Sequence, residues 1–153
     1  DTFAKVNPPL RTKEDVEAIK AGLADGTIDC IVTDHAPHTA AEKTDFEKAP
    51  NGVVGLETSF AASYTGLVKT GLISLGRLVE LMSVNPARIL GVPGGHIRPG
   101  DPADLVLMDL DRTWTVDPSK LHSKSKNTVF KGMELTGKAV CTLCGGKIVY
   151  TCD

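Results

Sequence analysis

Neither sign of charge predominates in this sequence: 17 Lys and Arg face 19 Asp and Glu, for a formal net charge of −2. That near balance leaves no electrostatic footprint for nucleic acid or a charged membrane surface, so neither is expected as a partner. Long apolar runs are missing too, and nothing approaches the roughly 20 residues of a membrane helix. The opening residues Asp1-Thr2-Phe3-Ala4-Lys5 lack a charged segment followed by an apolar stretch, and the expectation is a cytoplasmic chain. Aromatic residues are scarce at 5%, yet 41% hydrophobic and 24% charged residues give an ordinary globular composition able to bury a core. At 153 residues the length suits about one domain. A complete (β/α)8 barrel, which takes ~250 residues, is excluded.

Cysteines number four: Cys30, Cys141, Cys144 and Cys152. Cys141-Thr-Leu-Cys144 has CxxC spacing, but Lys138 to Tyr150 reads as two short strands around a Gly145-Gly146 turn. Within a strand, residues three apart point to opposite faces. The two sulfurs would not converge on one ion, and ordinary reduced thiols are expected.

Along the chain, Phe3 to Val6 is short and strand-like and is stopped by Asn7-Pro8-Pro9, since proline has no N–H for a sheet. Thr12 with Asp15 starts a helix whose Val16, Ile19 and Leu23 share one face, and Gly26 ends it. Ile28 to Thr33 is a β-rich apolar run, consistent with a buried parallel strand. Residues 39 to 55 are polar and carry Pro50 and Asn51-Gly52, which predicts a long loop. A helix over about 56 to 69 has Leu56, Phe60, Tyr64 and Leu67 at helical spacing and ends near Gly71. Another opens at Ser74 and buries Leu78, Leu81 and Met82, and Asn85-Pro86 restarts the chain as a short helix with Asn85 as its cap. Beyond Gly94 the pattern changes to short strands, Ala103 to Asp109, Thr113 to Val116 and the C-terminal hairpin. The expected fold class is α/β, with an α/β region over residues 1–93 and a β appendage over residues 94–153.

The densest polar cluster, Asp34, His35 and His38, follows directly on the expected strand Ile28 to Thr33. An α/β barrel delivers its catalytic side chains at such strand ends, and carboxylates and imidazoles serve as metal ligands or general bases. The bland alternative is that Asp34 caps a loop while the histidines bond backbone carbonyls. The cluster is too small for a metal centre, which takes about three or four protein ligands. His96 and His122 lie among turn residues and are expected to meet solvent or backbone, and Arg11 to form a structural ion pair.

Lys5-Val-Asn-Pro-Pro-Leu-Arg11, Thr33-Asp-His-Ala-Pro-His38, Ala49-Pro-Asn-Gly-Val-Val-Gly-Leu-Glu-Thr58, Ser83-Val-Asn-Pro-Ala-Arg88 and Gly100-Asp-Pro-Ala-Asp-Leu-Val106 resemble, in order and spacing, the C-terminal part of bacterial dihydroorotases of the amidohydrolase superfamily. Ala36 and His38 separate this pattern from hydantoinases and allantoinases, which generally carry other residues there. The resemblance implies the last two βα units of a (β/α)8 metal-dependent hydrolase barrel, followed by the C-terminal strands of an appended β-sandwich. It implies reversible hydrolysis of L-dihydroorotate to N-carbamoyl-L-aspartate in pyrimidine biosynthesis at a centre of one or two zinc ions. Asp34 then corresponds to the aspartate that binds metal and acts as general base or acid. Asn7 and His38 correspond to substrate-binding residues, and Gly52 and Val53 to a backbone contact.

The family's other metal ligands lie before its seventh barrel strand, in a part with no counterpart here, so the chain alone is expected to be inactive. Its expected partners are the small-molecule substrate, the N-terminal part of the same enzyme, a second copy in a homodimer and, for some relatives, aspartate transcarbamoylase. The alternatives are another cyclic amidohydrolase of hydantoinase or allantoinase type, or a non-catalytic partner of the transcarbamoylase.

Overall fold

Local sequence rules act most directly at α1, Lys13–Asp25, in a computed structural model that describes residues 1–152. Thr12 Oγ1 accepts the Asp15 N–H at 3.3 Å while Asp15 Oδ2 accepts the Thr12 N–H at 3.2 Å, so two amides without helical partners are satisfied reciprocally. Gly26 closes the helix in the left-handed region, as a residue without Cβ does at little cost. Arg11 pairs with Asp15 at 3.4 Å, as expected. Of the expected apolar face only Leu23 is buried, whereas Val16 and Ile19 stay exposed.

The helical part continues with α2, Ser59–Ser63, which runs into π-helical turns over Tyr64–Val68. Leu56, the expected start of this helix, precedes it and is exposed. Next comes α3, Leu75–Val79, capped by the Ser74 hydroxyl on the Arg77 N–H, with π-helical turns over Glu80–Val84 and then α4, Asn85–Leu90. Asn85 is itself helical and caps nothing; its Nδ2 donates to the Asp29 carbonyl at 2.9 Å. The wider π turn lets the helix pass into Pro86, which has no N–H to give. Leu23, Leu67, Ile73, Leu78 and Leu81 form one core, with Phe60, Tyr64 and Met82 packed against it.

The expected strands at the start of the chain do not form. Thr2–Ala4 is a single 3-10 turn capped by the Asp1 carboxylate. Ile28 to Thr33 has no neighbouring strand among the described residues, and its polar groups bond to helices instead. The Ile28 N–H meets the Gly22 carbonyl at 2.9 Å and the Ile31 N–H the Leu81 carbonyl at 2.9 Å. A strand exists through its ladder partner; here one isolated parallel bridge, His35 with Val53, marks the end of the segment.

The β part is an antiparallel three-stranded sheet in the order β1-β2-β3, with β1 Leu105–Thr115, β2 Glu134–Cys144 and β3 Lys147–Thr151. The two strands expected before Val116 are one strand with an irregularity, where Asp109 Oδ1 accepts the Asp111 and Arg112 N–H groups at 3.0 Å each. The β2–β3 turn falls at Gly145-Gly146, both with positive φ, as its sequence predicts. None of the four cysteines forms a disulfide.

Helix and sheet meet closely. Gly137 of β2 has φ +92, and a Cβ there would stand 3.0 Å from Phe60 Cε1. The Thr136 N–H donates to Thr65 Oγ1 at 2.8 Å, and Lys69 Nζ to Thr136 Oγ1 at 3.1 Å. Among the described residues no helix is long and apolar enough to cross a membrane.

Candidate functional site

Asp34 follows the helix-bonded segment Ile28 to Thr33 with φ +41, the one non-glycine residue among those described with positive φ. Such a conformation costs on the order of 1–3 kcal/mol and clusters at functional sites, and aspartate tolerates it better than most side chains. The Asp34 carboxylate is exposed. Among the described residues it takes part in no ion pair.

His35 is tied down differently. Its Nδ1 accepts the Gly55 N–H at 3.1 Å and the Leu56 N–H at 3.4 Å. Backbone amides only donate, so Nδ1 holds the lone pair and Nε2 the proton. In that form His35 has no lone pair left for a metal and serves to anchor the loop. His38 Nε2 lies 2.9 Å from the Asn51 carbonyl, which only accepts, so Nε2 carries the hydrogen and Nδ1 the lone pair. The alternative in which the histidines bond backbone carbonyls holds for His38, whereas His35 accepts from amides instead.

The loop over residues 39–55 reaches back to this cluster. The Ala36 N–H donates to the Val53 carbonyl at 2.9 Å. Gly52 has φ +129, and a Cβ there would fall 2.5 Å from Ala36 Cβ and 3.2 Å from His38 Nε2, so only glycine lets the segments approach this closely. The Gly52 N–H and Lys43 Nζ both donate to the Lys5 carbonyl, at 3.0 and 3.2 Å. Lys43 is buried, and its Nζ also reaches the Pro50 carbonyl at 2.8 Å. Burial, reinforced by the nearby Lys5 charge, pushes its pKa down. Asn7 is exposed and lies two residues beyond the Lys5 carbonyl that the Gly52 N–H bonds. The structure therefore brings His38, Gly52 and Val53 together beside the Asp34 turn.

Sequence reasoning missed three residues here. Ser125 and Asn127 are buried and hydrogen-bonded to the His38 and Gly52 backbones; a Ser-Lys-Asn run has no local pattern that announces this. Glu57 holds the same strap from outside: its carboxylate accepts the His122 N–H at 2.9 Å, His122 Nδ1 at 3.1 Å and the Ser123 N–H at 3.0 Å. Partial burial raises the Glu57 pKa, but those two amides and the imidazole outweigh it, and the net shift is downward. His122 thus meets a carboxylate rather than only solvent or backbone. So does His96, paired with Asp101 at 3.2 Å.

A cleft of about 1880 Å³ opens between the helices and β1, with His35, Phe60, Leu78, Trp114 and Tyr150 on its walls. It exceeds the roughly 300–1,000 Å³ of a small-molecule site, and it touches the cluster only at His35. Zinc takes about three or four protein ligands, and among the described residues no group of three or more His, Cys, Asp or Glu side chains is placed to hold a metal. The described donors alone do not make up that set.

The chain is 53% identical over 154 aligned residues to a dihydroorotase from Syntrophus aciditrophicus, covering 100% of this chain and 36% of that protein. It is 54% identical to one from Geobacter metallireducens, covering 98% of this chain and 35% of the relative. It therefore spans about a third of the length of these curated relatives. Among solved structures it is similar to L-hydantoinase from Arthrobacter aurescens, with TM-score 0.91 and 38% identity over 98% of this chain and 35% of that one. D-hydantoinase from Thermus sp. gives TM-score 0.90 and 29% identity over 98% of this chain and 34% of that one. The amidohydrolase family profile matches residues 6–149, and the chain belongs to the amidohydrolase family.

Proposed function

We propose that this chain is part of a dihydroorotase, which interconverts L-dihydroorotate and N-carbamoyl-L-aspartate in pyrimidine biosynthesis. The observation that carries the reading is identity above 50% to dihydroorotases over nearly the whole chain, and the clustering of His38, Gly52 and Val53 beside Asp34 supports it. Asp34 takes the proton of the attacking water and returns it to the departing ring nitrogen, work for which an exposed carboxylate is suited. Asn7 and His38 grip the substrate's carboxylate and ring, and the Gly52-Val53 backbone lines its flank.

Zinc belongs to the complete centre in this reading, with Asp34 giving one bond and the remaining ligands coming from polypeptide outside these 153 residues. Residues 1–93 are the C-terminal part of a (β/α)8 barrel and residues 94–153 the C-terminal part of a β-sandwich, the last residue lying outside those described. The partners are the rest of the enzyme and a second copy in a homodimer, in the cytoplasm.

A second reading, a hydantoinase-type enzyme, is favoured by the solved structures that this chain resembles. Purified full-length enzyme, supplied with zinc and offered dihydroorotate and hydantoin side by side, separates the two. Preference for dihydroorotate is expected, with His38→Ala raising KM by about tenfold or more. Turnover of hydantoin alone would overturn the assignment.

A further inference from the structure

Besides their direct bonds, the segments that carry His38 and Gly52 are bridged by one buried side-chain amide. Asn127, 2% exposed, donates from Nδ2 to the Gly52 carbonyl at 2.8 Å. A carbonyl only accepts, so that end of the side chain is the NH2 group and the other end is oxygen. Oδ1 faces the His38 backbone N–H at 3.5 Å and lies against the Ser125 hydroxyl. The Asn127 carbonyl takes the Val54 N–H at 2.9 Å, and Ser125 Oγ donates to the His38 carbonyl at 2.6 Å. No other side-chain type of this size offers a donor and an acceptor on one plane. Aspartate would set oxygen against the Gly52 carbonyl, and leucine would leave both backbone groups unmet.

We propose that Asn127 is a positioning residue: its side-chain amide, backed by Ser125, fixes the spacing between His38 and Gly52-Val53 that the substrate meets. The inference rests on the dihydroorotase reading for its substrate but not for its geometry. In the full-length enzyme, Asn127→Asp should raise KM for dihydroorotate by about tenfold while kcat changes less than about threefold. In a His38→Ala background the same change should add less than about twofold, because the group being positioned is gone. An unchanged KM in the folded variant, or the same factor with and without His38, would overturn the proposal.

Hydrogen exchange of the full-length enzyme tests the geometry independently of any substrate. In Asn127→Ala the segment around His38 should lose about tenfold or more in protection while the segment around Leu78 keeps its own. Equal protection of the His38 segment in variant and wild type would also overturn the proposal. If Asn127→Ala does not fold, Ser125→Ala is read the same way, with about a threefold loss expected. A wild type that does not turn over dihydroorotate refutes the functional reading, and exchange still decides the role of Asn127.

Discussion

Gly52 shows how much one position can decide. Its φ of +129 and the 2.5 Å that would separate an added Cβ from Ala36 Cβ bar any other residue without movement of the loop. Gly52→Ala should therefore cost about 1–3 kcal/mol from backbone strain and overpacking, read by denaturant unfolding; a variant as stable as wild type would contradict the close approach. Asp34 stands out at the same scale. Its place in the sequence, polar after an apolar run, was legible, and so was its grouping with His38. Its left-handed backbone was not, because aspartate is compatible with many local conformations. Asn127 was illegible for a different reason: its partners, His38 and Gly52, are 89 and 75 residues away in sequence, and no local pattern encodes such pairing.

At the scale of elements, short-range signals were read correctly where the structure satisfies them locally. The Thr12–Asp15 capping box, the Ser74 cap and the Gly145-Gly146 turn all form. Ile28 to Thr33 is the opposite case, because a strand needs a partner and this segment finds α1 and the π-helical turns over Glu80–Val84. The strap at residues 121–128 likewise depends on a distant residue, Glu57, just ahead of α2. Its carboxyl pKa is held below the ordinary glutamate value of 4.5, so the folded state favours the ionised form. That contribution is full above the ordinary value and fades as pH falls through the lowered one. Glu57→Gln should lose about 1 kcal/mol at neutral pH, and the gap from wild type should close in acid. Unfolding curves at both pH values check this; a gap independent of pH would contradict it.

For the molecule as a whole, the exposed apolar residues carry information. Val32, Leu90 and Ile97 are 77%, 73% and 83% exposed, alongside Ile148 and Val149 on β3 and Val106 and Leu107 on β1. The outer edges of β1 and β3 are unpaired among the described residues, and exposed edge strands that carry apolar side chains template association. The 153-residue chain on its own should self-associate, and sedimentation across a concentration series reads this directly. A single species of 16.2 kDa at all concentrations would contradict it. The described residues hold no group of three candidate metal ligands, and in the proposed reading Asp34 gives one bond to a centre whose other ligands lie elsewhere.

The most direct test of that account is turnover by the full-length, zinc-supplied enzyme carrying Asp34→Asn, followed in both directions with dihydroorotate and carbamoyl-aspartate. Asparagine keeps the size of the side chain and tolerates the left-handed backbone, so the fold should be retained while both rates fall by at least about a hundredfold through loss of the base. Near-normal rates in either direction would show that Asp34 is not the proton acceptor and would contradict the account.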